Sequence, residues 1–200
     1  MPRQTDSRVR MVRAASRLLR RQGYAATGWR QVVSESEAPW GSQSHHFPGG
    51  KEQLAVEALT RSGQQYRELL AAALVDTHPA DMVAGWAELA ATQLEHSDWA
   101  DGCPIATVAL EQAHASPALG DACRDAFRGW IAELAAAAEA RGLSPSEAQS
   151  VGTAVVAGIE GGLLLARAER RPEPLRAVGA ELSAWLRTRI PPEPKRRRRG

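Results

Sequence analysis

The side chains able to do chemistry in this 200-residue sequence fall into three groups. His45 and His46 are adjacent and could begin a metal site, but no third ligand stands near them, so no metal is expected. Cys103 and Cys123 are separated by 20 positions, which matches neither a common zinc spacing nor a disulfide framework. Cys103 precedes Pro104 at an expected helix start, where a thiolate is stabilised, so thiol-based redox sensing is one reading of it. The third group is the cations. Residues 1–51 carry eight arginines and Lys51 against Asp6, Glu35 and Glu37, a net +6; residues 52–190 sum to −8, and the last ten residues to +4. The overall charge of +2 therefore conceals a basic head on an acidic body, the pattern of a chain whose N-terminus meets a polyanion. No nucleophile–base pair, phosphate loop or metal cluster of recognisable spacing is present, so the chain is not expected to be an enzyme or to hold a cofactor.

These groups must be positioned by helices. Val9, Val12, Ala15 and Leu19 recur at helical spacing through Thr5–Gln22, and Gly23 supplies a stop. Thr27 reads as the N-cap of a short helix through Ser34 carrying Trp29, Val32 and Val33. A turn follows, and Pro39 suits the first position of another short helix ending near His46, before Phe47-Pro-Gly-Gly. Lys51 to about Val75 is a long amphipathic helix with Leu54, Ala58, Leu59, Tyr66, Leu69 and Leu70 toward a core. Later segments begin at Pro79, at Cys103, at Ser116-Pro117, at the capping box Ser144-Pro-Ser-Glu147 and after Pro172. The expected fold is all-α with about nine helices. The expected divisions are a helix-turn-helix head over 1–50, a helical body over 51–190 and a basic disordered tail over 191–200. Two short helices joined by a tight turn and flanked by longer ones form a helix-turn-helix module, which puts its second helix in the DNA major groove. No signal peptide opens the chain and no run approaches 18 apolar residues, so it is read as cytoplasmic.

Three strings carry a family resemblance: Gly23-Tyr24-Ala-Ala-Thr27-Gly-Trp-Arg-Gln31-Val-Val, Ser36-Glu-Ala-Pro39-Trp-Gly-Ser42, and His45-His46-Phe47-Pro-Gly-Gly-Lys51-Glu-Gln-Leu54. In order and gaps they resemble the DNA-binding domain of TetR-family transcriptional repressors. Asp101-Gly102-Cys103-Pro104-Ile105-Ala106-Thr107-Val108-Ala109-Leu110-Glu111 is similar to a string in the LmrA/YxaF-like branch. The resemblance implies that Thr27 caps the second helix and offers its hydroxyl to a phosphate, with Arg30 and Gln31 beside it. It implies that Trp40, Ser42, Ser44 and His45 face the groove and that His46 and Lys51 reach backbone phosphates. Two places depart from the family pattern: Trp40 stands where a cation is usual, and Gln43-Ser44 where Leu-Tyr is usual. Base preference therefore does not transfer from relatives.

The same resemblance implies a C-terminal domain that dimerises and holds an inducer, in some members a planar aromatic compound. Trp86, Trp99, Phe127 and Trp130 fall on or beside the helices that would surround such a cavity, and aromatic walls with a few polar groups suit a small-molecule pocket. Gln93, His96, Cys103 and His114 add polar groups. Glu160, inside an apolar run, would be costly if buried without a partner, so it either points to a cavity or a partner or lies at an exposed seam; the first is favoured. Gly158 and Gly162, one turn apart, allow another helix to approach, and the last helix presents Leu175, Val178, Leu182, Trp185 and Leu186. Two such helices per subunit would make a four-helix homodimer, whose symmetry calls for a palindromic operator. The leading reading is thus a ligand-responsive repressor released from a double-stranded operator by a small hydrophobic or aromatic inducer. The alternatives are a redox-sensing DNA-binding protein using Cys103 and a sequence-independent DNA packager.

Overall fold

A computed structural model describes residues 4–190; the basic tail at 191–200 lies outside the described residues. Nine helices and no strand are found among the described residues. They are α1 (Gln4–Ala26), α2 (Trp29–Ser36), α3 (Ser42–His46), α4 (Gly50–Leu74), α5 (Pro79–His96), α6 (Pro104–Gln112), α7 (Pro117–Glu139), α8 (Pro145–Glu169) and α9 (Glu173–Arg189). The helices pack into two compact units: one of residues up to 68 with 96–129, the other of 69–95 with 130 onward. Helices α4 and α7 contribute residues to both.

In the first unit α1 is surrounded, packing against α2, α3 and α6. That explains why its buried set is wider than one helical stripe. Val12, Ala15 and Leu19 are buried as their spacing predicts, but so are Met11, Ala14 and Leu18, while Val9 stays 36% exposed. A helix with neighbours on several sides must be apolar on several sides. The break expected at Gly23 is present as a kink, with φ 77° and ψ −173°, a conformation that glycine adopts without steric cost. Along α4 the inward positions are Leu54, Ala55, Ala58, Leu59 and Ser62, then Leu70 and Leu74. Leu69 lies beside that stripe and is 59% exposed, contrary to its expected core position. Cys103 caps α6, its Sγ accepting from the Ala106 N–H at 3.5 Å. Ser116 caps α7 through the Leu119 N–H and donates to Glu52 of α4 at 2.8 Å.

The second unit is organised by α8 and α9. The capping box at Ser144–Glu147 starts α8 as expected: Glu147 accepts from the Ser144 N–H at 3.1 Å and Ser144 Oγ from the Glu147 N–H at 3.4 Å. Small residues then let the helices close up. A Cβ on Gly152 would meet the Ile131 carbonyl at 2.7 Å, one on Gly158 would meet Leu182 at 2.9 Å, and one on Gly162 would meet Leu175 at 3.0 Å. The close approach inferred from the glycine spacing therefore occurs between α8 and α9 of one chain. Leu175, named above for a subunit interface, is fully buried in that contact, with Val178 beside Gly162. Trp185 is half-buried, with the Arg189 guanidinium 5.6 Å from its ring centroid. Helix α8 is long and apolar enough, by length and composition, to cross a membrane. Its Val151, Val155, Val156, Ile159 and Ala166 are instead buried against the chain's own helices.

Between α5 and α9, a Cβ on Gly179 would fall 2.3 Å from the Ala87 Cβ, a neighbour with no flexible end to move aside. Gly179→Ala should therefore destabilise the chain by about 1–3 kcal/mol. Gly85→Ala, on the same α5 but with open space around the added methyl, should instead gain roughly 0.5–1 kcal/mol from helix propensity. Urea midpoints of the two variants against the parent measure this, and equal shifts would refute the packing argument.

Candidate nucleic-acid interface

The basic head consists of α2 and α3 mounted on α1. Arg10 of α1 donates from Nε to the Ser36 carbonyl at 2.8 Å and from an η-nitrogen to the Glu37 carbonyl at 3.3 Å, while Arg17 pairs with Glu35 at 3.4 Å. Cations at the C-terminal end of α2 satisfy its last carbonyls and complement its dipole. Glu37 ends α2 in the left-handed region at φ 51°, and Gly41 begins α3 at φ 96°. Together these two residues make the sharp turn between the short helices.

Most head cations are thus engaged within the fold. Arg8 pairs with Glu57 at 2.6 Å, Arg10 with Asp6 at 2.7 Å, and Arg20 and Arg21 converge on Asp101 at 3.7 and 2.8 Å. Arg13 and Arg30 are exposed and have no ion-pair partner among the described residues. Composition points to the whole head as a phosphate surface; among the described residues, three-dimensional pairing narrows the unengaged head arginines to these two. Arg13 was not singled out from the sequence, because nothing in its spacing separates it from the arginines that form ion pairs.

Each residue read from the sequence has a definite place. Thr27 is buried, and its hydroxyl donates to the Gly23 carbonyl at 2.6 Å. It does not cap α2: the N-cap is Gly28, whose N–H is accepted by Gln31 Oε1 at 3.2 Å. Gln31 is tied further to Gln22 at 2.8 Å, and Arg30 projects outward beside it. Trp29 is half-buried with its ring 6.1 Å from that of Phe47, in accord with a packing role. Trp40 is 66% exposed but precedes α3 instead of lying on it, because the helix begins only at Ser42. Ser42 Oγ donates to the Pro39 carbonyl at 2.7 Å, and Gln43 Oε1 accepts from the Gly41 N–H at 2.7 Å, so both side chains brace the turn. Ser44 and His45 are exposed on α3. His46 is half-buried, its Nε2 2.8 Å from Ser7 Oγ. Lys51 donates to the Ala25 carbonyl at 3.3 Å and lies 4.2 Å from the Tyr24 ring centroid. Burial draws the Lys51 pKa down, with Glu111 opposing. Trp40, Ser44, His45 and Arg30 thus stand exposed on the head, while Thr27, Gln31, Ser42, His46 and Lys51 are held by internal bonds. A small pocket behind α2 is lined by Leu19, Tyr24, Thr27, Trp29, Lys51 and Leu54.

The residues named for a ligand cavity divide between the two units. Trp86, Gln93, Trp130 and Glu160 belong to the second, and Trp99, Cys103 and Phe127 to the first. Trp130 is buried to 1% exposure, Trp86 and Glu160 are half-buried, and Gln93 is exposed. Trp99 and Phe127 are half-buried, with Trp99 in a left-handed turn at φ 64°. Cys103 is buried at the start of α6. Cys123 is buried on α7, which pushes its thiol up to about 11 and keeps it protonated near neutrality.

Comparison with known proteins identifies this arrangement. Residues 79–181 match the family described as transcriptional regulator LmrA/YxaF-like, C-terminal domain. The regulator YxaF of Bacillus subtilis (strain 168) is 34% identical over 183 residues, spanning 91% of this chain and 96% of that protein. The regulator LmrA of the same organism is 36% identical over 171 residues, 85% of this chain and 91% of that one. The crystal structure of a TetR regulatory protein from Rhodobacter sphaeroides superposes with a TM-score of 0.76 at 21% identity, covering 88% of this chain and 96% of its own. This chain belongs to the TetR family of transcriptional regulators. Its match to YxaF and LmrA runs through head and body alike, so the regulator's helix-turn-helix is the α2–α3 pair and its LmrA/YxaF-like domain begins with α5. It is a regulator and not an enzyme.

The environment of His46 gives the regulator a pH signature. Burial, then His45, then Arg8 lower its pKa from the ordinary 6.5, so the folded head prefers the neutral ring. The unfolded chain then binds more protons just below pH 6.5, and stability falls as pH drops through that window. The urea midpoint should decline from pH 7.5 to 5.5, and His46→Gln should flatten that slope. An identical slope in the variant would show that His46 carries none of it.

Proposed function

We propose that this TetR-family regulator is a repressor that binds a palindromic operator as a homodimer and is released by a small hydrophobic or aromatic inducer. The observation that carries the reading is the exposure of Arg30, Trp40, Ser44 and His45 on one short helix-turn-helix whose interior is otherwise satisfied. Exposed serine and histidine on α3 offer donors and acceptors to base edges, Trp40 offers an apolar face, and Arg30 offers a charge for a phosphate. The functional division proposed is a DNA-reading head over 1–50 and a ligand-binding, dimerising body over 51–190, in a cytoplasmic protein.

For the homodimer, the support is the outward side of α8. Leu164 and Leu165 are 60% and 52% exposed, Ala154 and Ala157 precede them on that side, and a Cβ on Gly161 would meet nothing within 4 Å. This side is distinct from the glycine face that seats α9. An isologous contact across it would bury large apolar side chains and set two heads in two-fold symmetry. Inducer held in the body would act through different affinities for two head spacings, and the coupling would be reciprocal.

Footprinting of DNA flanking the regulator's own gene, at near-physiological salt with random competitor, tests the reading. A protected palindrome is expected. Protection that is sequence-independent and lost steeply with salt would replace it with the packaging reading. Arg30→Ala should lower the salt slope of operator binding by about one. Leu164→Asp with Leu165→Asp should convert the dimer to monomer in sedimentation, and a dimer that survives this double change would place the interface elsewhere.

A further inference from the structure

The turn from α1 into α2 is held by two charged side chains, one from α6 and one from α4. Glu111, near the end of α6, accepts through Oε2 from the Tyr24 N–H at 2.8 Å and the Ala25 N–H at 3.0 Å. On the same segment, Lys51 donates to the Ala25 carbonyl at 3.3 Å, with its ammonium over the Tyr24 ring and within electrostatic reach of Glu111. Thr27 Oγ1 closes the turn onto the Gly23 carbonyl at 2.6 Å. Gly23 makes the grip possible in two ways. Its φ of 77° turns the two following amides toward α6, and its missing side chain leaves the space the carboxylate fills, since a Cβ there would lie 1.8 Å from Glu111 Oε1. The N-terminal end of α6 is anchored as well: Asp101 takes Arg20 and Arg21, and the Gly102 N–H donates to the Arg20 carbonyl at 3.2 Å. The reach of Glu111 is therefore set by contacts between α6 and α1 at both ends of α6.

A carboxylate is an unexpected group beside a turn that leads into a phosphate-facing helix, because charge alone would make DNA binding weaker. Its geometry supplies another reason for its presence. We infer that Glu111 is a positioning residue for DNA recognition, holding the Gly23–Thr27 turn, and hence the start of α2, in the geometry used on the operator, and tying that turn to α6. This rests on the DNA-binding reading above. Without the carboxylate, two adjacent amides lose their acceptor and the turn has more conformations to surrender on binding.

The test uses the full chain with Glu111→Ala and Glu111→Gln, the latter keeping size and one acceptor while removing charge. Amide hydrogen exchange at Tyr24 and Ala25 should accelerate by about tenfold or more in the alanine variant, the order expected for a lost charge-assisted bond. Affinity for the footprinted operator duplex should fall by about tenfold with an unchanged salt slope, because no phosphate contact is removed. The glutamine variant should lie between parent and alanine in both readouts. Unchanged exchange at the two amides, or operator binding as tight as the parent's or tighter, would overturn the proposal; the latter is what removal of an acidic charge alone predicts. Should the alanine variant not fold, as judged by circular dichroism, the glutamine variant decides by the same two readouts. If the parent binds no duplex specifically, the repressor reading fails while the exchange measurement still decides whether Glu111 holds the turn.

Discussion

Burial of α1 on several sides is the constraint on which the head depends. Met11, Ala14, Ala15, Leu18 and Leu19 are all at most 4% exposed, and α2, α3 and α6 pack against the helix that carries them. Because α2 has eight residues and α3 five, neither is long enough to be stable alone. Their orientation comes from α1: Arg10 and Arg17 hold the end of α2, Ser7 meets His46 of α3, and Val32, Val33 and Phe47 close over the apolar surface. The recognition surface is small, and its placement is a consequence of how one long helix is covered.

Charge plays a different part from the one its sequence distribution implies. Exposed ion pairs such as Arg8–Glu57 and Arg21–Asp101 contribute little to stability individually. Their effect is on direction, since each fixes a long side chain that would otherwise sweep the surface. With five of the head's arginines engaged in this way, Arg13 and Arg30 are the arginines without an ion-pair partner among the described head residues. A basic segment can thus be cohesive internally and still leave particular cations exposed without an ion-pair partner.

The glycines illustrate the same division between pattern and partner. The one-turn spacing of Gly158 and Gly162 announces a close helix approach, and α9 of the same chain supplies it through Leu182, Leu175 and Val178. Gly161, next to them in sequence, faces open space, and the exposed Leu164 and Leu165 share the outward side of α8. Spacing reports that a helix comes near; it carries no information about which helix.

Local chemistry settled much of this protein in advance. Helix starts at Pro79, Cys103-Pro104 and Ser144–Glu147, the break at Gly23 and the all-helical class follow from caps, prolines and periodicity, which act over a few residues. Family membership was legible in the strings from Gly23 to Leu54 and from Asp101 to Glu111, which short-range motif order can carry. Long-range contacts were decided by the tertiary structure. The exposure of Leu69 and the engagement of Arg8, Arg17, Arg20 and Arg21 were set by how distant segments pack, whereas Thr27 and the start of α3 are fixed by bonds within a few residues whose choice among local alternatives the sequence pattern does not reveal. Glu111 is the clearest case: it closes the string read as a family signature, yet its partners are amides 86 and 87 residues earlier. Only a folded chain brings a carboxylate on α6 to a glycine turn after α1, because hydrogen bonds recognise distance in space and not separation in sequence.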